Sequence, residues 1–472
     1  PAKGEYKEIF TDVRCFGTNP VCGELLKINP FSFPKGIHVL EHIDRIIEIF
    51  NVCWPMYAAM PAVLKESIEQ AYISAGWDLD LSENTKVAGL YPTFEDVLRE
   101  LNSVIDESAY SSDTKGDYIG SLSTRIRSLT NGINGRIFVS DEIPLEDLFD
   151  KSAIVDISRV GATETKSLIM GIVVLKLQEY RMSHAGQMNA DLRHLTVLEE
   201  AHNLLKKTST EQSEEGSNIV GKSVEMLTNA IAEIRTFGEG FIIVDQAPEL
   251  LDTAAIRNTN TKIVLRLPES TDREITGGAM ALNKQQSDEL SKLPTGVAAV
   301  YQNDWQEAVL CALPKYESYD FSLHKKKAAG SIEIRKKESS KLLHLLLRKP
   351  KDQTETDYIK ELIKVSNVSA KVKKDLILNL GKRNLVFEWA VADFINKNFD
   401  FSDIFRGTSD CDDLEQMSAI MMQNIESEFE EFSRDELYAI MYYICRIEHE
   451  RHPDNAEIEL LRTEHLREKV IL

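Results

Sequence analysis

Two adjacent acids end an apolar run in the segment 195–205, LTVLEEAHNLL. Leu195, Val197 and Leu198 suit a buried parallel strand, and Glu199 and Glu200 fall where such a strand reaches the rim of its sheet. At that rim one carboxylate can hold a metal-bound phosphate while the next polarises a water molecule. About 40 residues on, GFIIVDQAP repeats the design with Asp245 and Gln246, and SAIVDIS at 152–158 carries Asp156. The Gln246 amide is suited to sensing a terminal phosphate. Three apolar strands with polar ends would gather those groups at one edge of a parallel sheet, the usual seat of a ligand. The chemistry implied is nucleoside triphosphate hydrolysis.

Cations for the same chemistry are at hand. Arg235 closes a helical stretch just before Gly238-Glu-Gly240. It reads either as a cation at a helix C-terminus or as an arginine finger neutralising phosphate charge in its own site or a neighbour's. Arg257 and Arg266 are further candidates of the same kind.

Two motif matches read as decoys. Gly216 to Ser223 satisfies G-x-x-x-x-G-K-[ST], but a phosphate loop needs a buried strand leading into it, and KKTSTEQSEE precedes this one. The stretch 218–237 instead reads as one helix with Ile219, Val224, Leu227, Ile231 and Ile234 on its apolar face. His38-Val-Leu-Glu41-His42 fits a zinc pattern, yet lacks a downstream acidic ligand and reads as an amphipathic helix.

Around these groups the elements alternate. An irregular start over 1–36 has one short strand near 24–28, and 37–132 reads as a helical insertion, with Thr93 as N-cap of FEDVLRELNSVI. Strands at 152–158, 195–200, 241–246 and 261–267 then alternate with helices, and GVAAVYQ with QEAVLCA closes the set as a hairpin. The expected fold class is α/β: a RecA-like, mainly parallel sheet with helices on both faces, a helical insertion and a helical C-terminal region. The domains expected are a core over 1–320, with the insertion at about 37–132, and a helical region over 321–472.

With 43% hydrophobic and 28% charged residues the composition is that of a globular protein, and no apolar run approaches a bilayer's width. Cysteines 15, 22, 53, 311, 411 and 445 include no CxxC pair, which points to a reduced, cytoplasmic setting rather than disulfides or zinc. The net charge of -21 argues against an all-over nucleic-acid coat but leaves room for a narrow basic channel. From Lys325 to Lys351 ten Lys or Arg stand against Glu333 and Glu338, a solvated linker or a partner contact.

The succession LEEAHNLL, AEIRTFGEGFIIVDQAPELL, NTNTKIVLRL, DREITGGAM and LPTGVAAVY, with PAKGEYK, INPF, HIDRIIEIF and GWD before it, resembles the HerA-type ATPases of the HerA–FtsK branch of ring-forming DNA translocases. The resemblance spans about residues 1–315. It implies ATP and Mg²⁺ as cofactors, Glu200 as catalytic carboxylate, Glu199 as the metal-side acid, Gln246 as sensor, and Arg235 as the arginine completing a neighbouring subunit's site. Glu199 stands where an aspartate is more usual, and both acids reach a hydrated Mg²⁺. The resemblance also implies a phosphate loop upstream of PAKGEYK, so the working protein is expected to have an N-terminal lobe ahead of these residues.

The leading expectation is therefore an ATP-driven translocase or helicase subunit of a homohexameric ring on double-stranded DNA. It would work with a nuclease in DNA repair, or with an antiviral-defence effector such as a sirtuin-like enzyme, and without a membrane. The alternatives are a catalytically incomplete HerA-like scaffold that organises an effector, and a conjugation or secretion ATPase of related fold.

Overall fold

The computed structural model describes residues 13–19, 23–54, 56–186, 189–207, 219–314, 331–382, 384–401, 403–408, 413–426 and 431–467, with Tyr6, Phe10, Cys411 and Phe429. Apolar spacing builds the first helices. Helix α1 (Val39–Cys53) buries Ile43, Ile46, Ile47 and Phe50, and α2 (Met60–Ser74) buries Val63, Leu64, Ile68 and Tyr72. Helix α3 (Phe94–Glu107) starts at a capping box in which Thr93 and Asp96 satisfy each other's backbone N–H. These helices share one core with α4 (Thr163–Ser183), the apolar helix between the acid-tipped strands, and with α5 (Ile219–Glu233). The stretch expected as an insertion thus packs as part of the core. Gly171 of α4 makes this possible, since a Cβ there would lie 2.6 Å from Cγ2 of Ile49 on α1.

The strands fall into separate sheets. Strands β1 (Arg14–Gly17), β2 (Glu24–Leu25) and β5 (Ala153–Asp156) pair in parallel with β1 in the middle. Between them in sequence, β3 (Trp77–Asp78) and β4 (Glu83–Asn84) form a small hairpin. Strands β6 (His194–Glu199) and β7 (Glu239–Val244) form a second parallel pair. Strands β8 (Thr261–Val264), β9 (Val297–Gln302) and β10 (Val309–Ala312) form an antiparallel sheet with β9 in the middle. The α/β class is that expected, and so is the β9–β10 hairpin. What differs is continuity: β5 and β6 share no ladder, and β8 turns antiparallel through β9.

From residue 331 on, α6 (Ser331–Leu346), α7 (Gln353–Val365), α8 (Ala370–Asn379), α9 (Leu385–Asn398), α10 (Leu414–Glu426) and α11 (Arg434–Arg451) surround a second core containing Leu343, Ile359, Leu376, Phe394 and Ile440. Asp96 ties α3 to α8: its carboxylate accepts the N–H of Ala370 at 2.9 Å and of Lys371 at 3.1 Å. Among the described residues no helix is long and apolar enough to cross a membrane.

Candidate active site

The parallel pair β6–β7 sets the geometry. Its register places Glu199 opposite Val244, so Glu200 leaves one strand beside Asp245 leaving the other. At the opposite end, buried Glu239 accepts from Nδ1 of His194 at 2.8 Å, from Thr196 at 2.6 Å and from Nε of Arg181 on α4 at 2.9 Å. Burial by itself would raise the Glu239 carboxyl; these donors outweigh it and hold the group below the usual carboxylate range. Strand, strand and helix are thereby fixed to one another at one end, which leaves the other end free to present functional groups.

Glu200 sits at φ 50°, ψ 48°, in the left-handed region. For a residue with a Cβ this costs about 1–2 kcal/mol and persists only where the surroundings enforce it. The chain turns there into a single 3₁₀ turn, Ala201–Asn203. Asn203 closes it, giving its backbone N–H to the Glu200 carbonyl at 3.0 Å and its Nδ2–H to the same oxygen at 2.9 Å. The Ser167 hydroxyl of α4 donates to the Asn203 carbonyl. Glu199 and Glu200 are both half-buried, and Glu199 accepts from the Tyr6 hydroxyl.

Both acids border a cavity of about 620 Å³ between β5 and β6. Its floor is the apolar face of α4, with Ile169, Met170 and Val173, and its walls are Ile154 and Val155 on one side and Leu195 and Val197 on the other. Leu195 is 47% and Val197 45% exposed, as is Ile242 at 44% across the pair. Parallel strands are ordinarily covered on both faces, so this bare apolar wall is unusual.

Gln246, directly after Asp245 and two residues past the end of β7, is exposed. Asp156 ends β5 on the other side of the cavity, with its carboxylate accepting from the Ser158 N–H at 3.0 Å, so the three polar ends do not share one sheet. Arg235 lies in the 3₁₀ turn before β7 and is exposed, at the end of the strand pair away from Glu200. A six-residue parallel strand, about 20 Å long, separates the two ends. Arg257, on the short helix Thr253–Asn258, and Arg266, just past β8, are exposed and make no contact with Glu199 or Glu200 among the described hydrogen bonds.

Gly216 lies outside the described residues, while Gly221, Lys222 and Ser223 are inside α5, where the Ser223 hydroxyl donates to Glu48. Among the described residues no strand runs directly into α5, as a phosphate loop would require. In the other motif His38 is the N-cap of α1 and His42 is fully buried, with Nδ1 at 3.0 Å from Glu179 and Nε2 at 3.1 Å from the Pro30 carbonyl. Lys325 to Lys327 are outside the described residues; further along the basic run, Arg348 pairs with Glu355 at 2.6 Å.

The acid pair fits a hydrated Mg²⁺, which usually takes only one or two carboxylates and completes its shell with water and phosphate oxygens. A backbone cradle for the phosphates is not found among the described residues of the cavity rim. Sequence reasoning missed Asn203, Tyr6 and the His202–Asp245 contact. Asn203 and His202 were visible in AHNLL, but their partners are set by how β6 meets β7 in space.

No family model matches the chain. Over 124 residues it is 31% identical to the DNA double-strand break repair helicase HerA of Sulfolobus acidocaldarius, covering 26% of this chain and 23% of that protein. Over that quarter of its length the chain is similar to HerA-type ATPases. The chain is also 28% identical over 180 residues to a probable helicase of Methanocaldococcus jannaschii, 37% of the chain and 30% of the relative. It therefore spans less than a third of the curated relatives it matches. Among solved structures, VirB4 of Thermoanaerobacter pseudethanolicus overlaps 67% of the chain and 80% of its own at 17% identity, with a TM-score of 0.49. The plasmid coupling protein TrwB in complex with ADP and Mg²⁺ overlaps 69% and 78% at 11% identity, with a TM-score of 0.42.

Proposed function

We propose that this chain carries the acid-bearing side of a HerA-type ATP hydrolase site that drives a ring of identical subunits, a hexamer, along double-stranded DNA. The observation that carries the reading is that Glu199 and Glu200 border a cavity at the end of a parallel strand pair whose other strand runs on into Asp245 and Gln246. Glu199 would hold Mg²⁺, Glu200 would polarise the attacking water and Gln246 would sense the terminal phosphate. ATP with Mg²⁺ supplies the leaving group and the charge neutralisation. Arg235, exposed at the far end, fits a role in the neighbouring subunit's site; Arg257 and Arg266 are secondary candidates for phosphate contact.

The phosphate loop would come from a further strand. Among the described residues no further strand pairs with the outer edges of β5 and β6, and these edges with the apolar floor between them would suit an inserted parallel strand whose C-terminal end emerges beside Glu199. In a cytoplasmic setting the ring would serve a nuclease in DNA repair, or an antiviral-defence effector of sirtuin-like type. The bare cavity also favours a second reading, a scaffold that organises an effector without hydrolysing nucleotide.

The test is ATP hydrolysis with and without double-stranded DNA, beside Glu200→Gln. DNA-stimulated hydrolysis that the variant loses is the expected result. Full hydrolysis by Glu200→Gln would overturn the site, and no hydrolysis by a full-length protein would leave the scaffold.

A further inference from the structure

We infer that Asp245 is a positioning residue for Glu200, acting through His202; this rests on Glu200 being the carboxylate that orients the attacking water. Asp245 leaves β7 beside the turn that follows Glu200, and its side chain is only 3% exposed. Oδ2 accepts from the His202 backbone N–H at 2.9 Å and from the His202 ring Nδ1 at 2.8 Å. Oδ1 accepts from the Ala247 N–H at 3.0 Å. One buried carboxylate thus clamps the end of its own strand and a backbone N–H two residues past Glu200. With Oδ2 engaged twice and Oδ1 facing the Ala247 N–H, Asp245 is a brace rather than a second metal-side acid. Its geometry with His202 requires the Nδ1–H tautomer, in which the ring donates.

The brace has something to hold. Glu200 is in the left-handed region, which a Glu does not keep unless neighbouring contacts over-determine it. Asn203 secures the turn from inside, through the Glu200 carbonyl. Asp245 is the contact that secures it from the adjacent strand, and so relates the Glu200 carboxylate to Gln246 on the same rim. If the brace is removed, the turn can relax toward ordinary backbone values and carry the carboxylate away from the water. A misplacement of about 1 Å can cost on the order of a hundredfold in rate. Ground-state nucleotide binding, which does not need that alignment, would be spared.

The experiment is steady-state ATP hydrolysis by the full-length protein carrying Asp245→Ala, Asp245→Asn or His202→Ala, with Glu200→Gln alongside. Asp245→Ala is expected to lower kcat on the order of tenfold to a hundredfold while KM for ATP stays within about twofold. Asp245→Asn should recover part of the loss, because its amide oxygen can still accept from His202. A merely structural role would move kcat and KM together with Tm and show no such rescue. Wild-type kcat in Asp245→Ala, with Glu200→Gln inactive, overturns the inference while leaving the site intact. Full activity in Glu200→Gln fails the site reading itself, and the inference with it. Should Asp245→Ala not fold, His202→Ala decides, since it removes the ring contact and leaves Asp245 bonded to two backbone N–H groups. A kcat loss at unchanged KM supports the brace, and an unchanged kcat overturns it.

Discussion

Arg235 and Glu200 lie at opposite ends of one pair of parallel strands, Arg235 before β7 begins and Glu200 after β6 ends. With about 20 Å of strand between them, a single subunit cannot bring both to one phosphate. Arg235→Ala and Glu200→Gln should each lower ATP hydrolysis by about a thousandfold in a full-length ring. Co-assembled, the two variants should regain activity far above either alone, because some interfaces pair an intact Glu200 with an intact Arg235. Mixtures as inactive as the single variants would place the arginine's role elsewhere.

The left-handed backbone of Glu200 separates stability from catalysis. Glu200→Gly and Glu200→Ala both remove the carboxylate, but only glycine accepts φ near 50° without strain. The glycine variant should be more stable than the alanine variant by about 1 kcal/mol in urea unfolding, with both inactive. Equal stabilities would mean that the turn relaxes once the side chain is gone.

Gly238 connects the Arg235 turn to β7 at φ 83°, and a Cβ there would lie 2.5 Å from the Asp191 carbonyl oxygen. Gly238→Ala therefore meets both a strained backbone and a carbonyl that cannot swing aside. We expect a loss of about 2 kcal/mol or more. Gly132→Ala, at φ 58° in open space, should cost only about 1 kcal/mol. Thermal or urea unfolding of the two variants checks the difference.

Lys373 of α8 is fully buried, with Nζ donating to the Ser140 hydroxyl and to the Lys364 carbonyl at 2.6 Å. Burial pushes its ammonium down from 10.5 to about 8, against the opposing pull of Asp141, Asp96 and Glu95. Between those values the unfolded chain holds a proton that the folded chain has released. The burial penalty is therefore complete below pH 8 and is relieved as pH rises toward 10.5. Relative to Lys373→Met, the wild-type protein should gain stability across that window, by at most about 1.4 kcal/mol per pH unit. Parallel stability curves for the two proteins would show that Lys373 does not titrate there.

The sequence by itself determined the local elements and the residues at their ends. Alternation of apolar strands with amphipathic helices marked β5, β6, β7 and α5, and the polar flank before Gly216 argued against a phosphate loop at that motif. Such features depend on neighbours three or four residues away, so periodicity and capping reveal them. Only the tertiary structure decided which ends share a rim. Glu200 and Asp245 leave neighbouring strand ends because β6 and β7 run parallel in a fixed register, whereas Arg235, near Gln246 in sequence, is carried to the other end by the length of β7. Asp156 was read onto the same edge, yet a cavity parts β5 from β6. His202 and Asp245 were each in view, but their contact joins residues 43 positions apart, a distance in sequence that no local pattern spans.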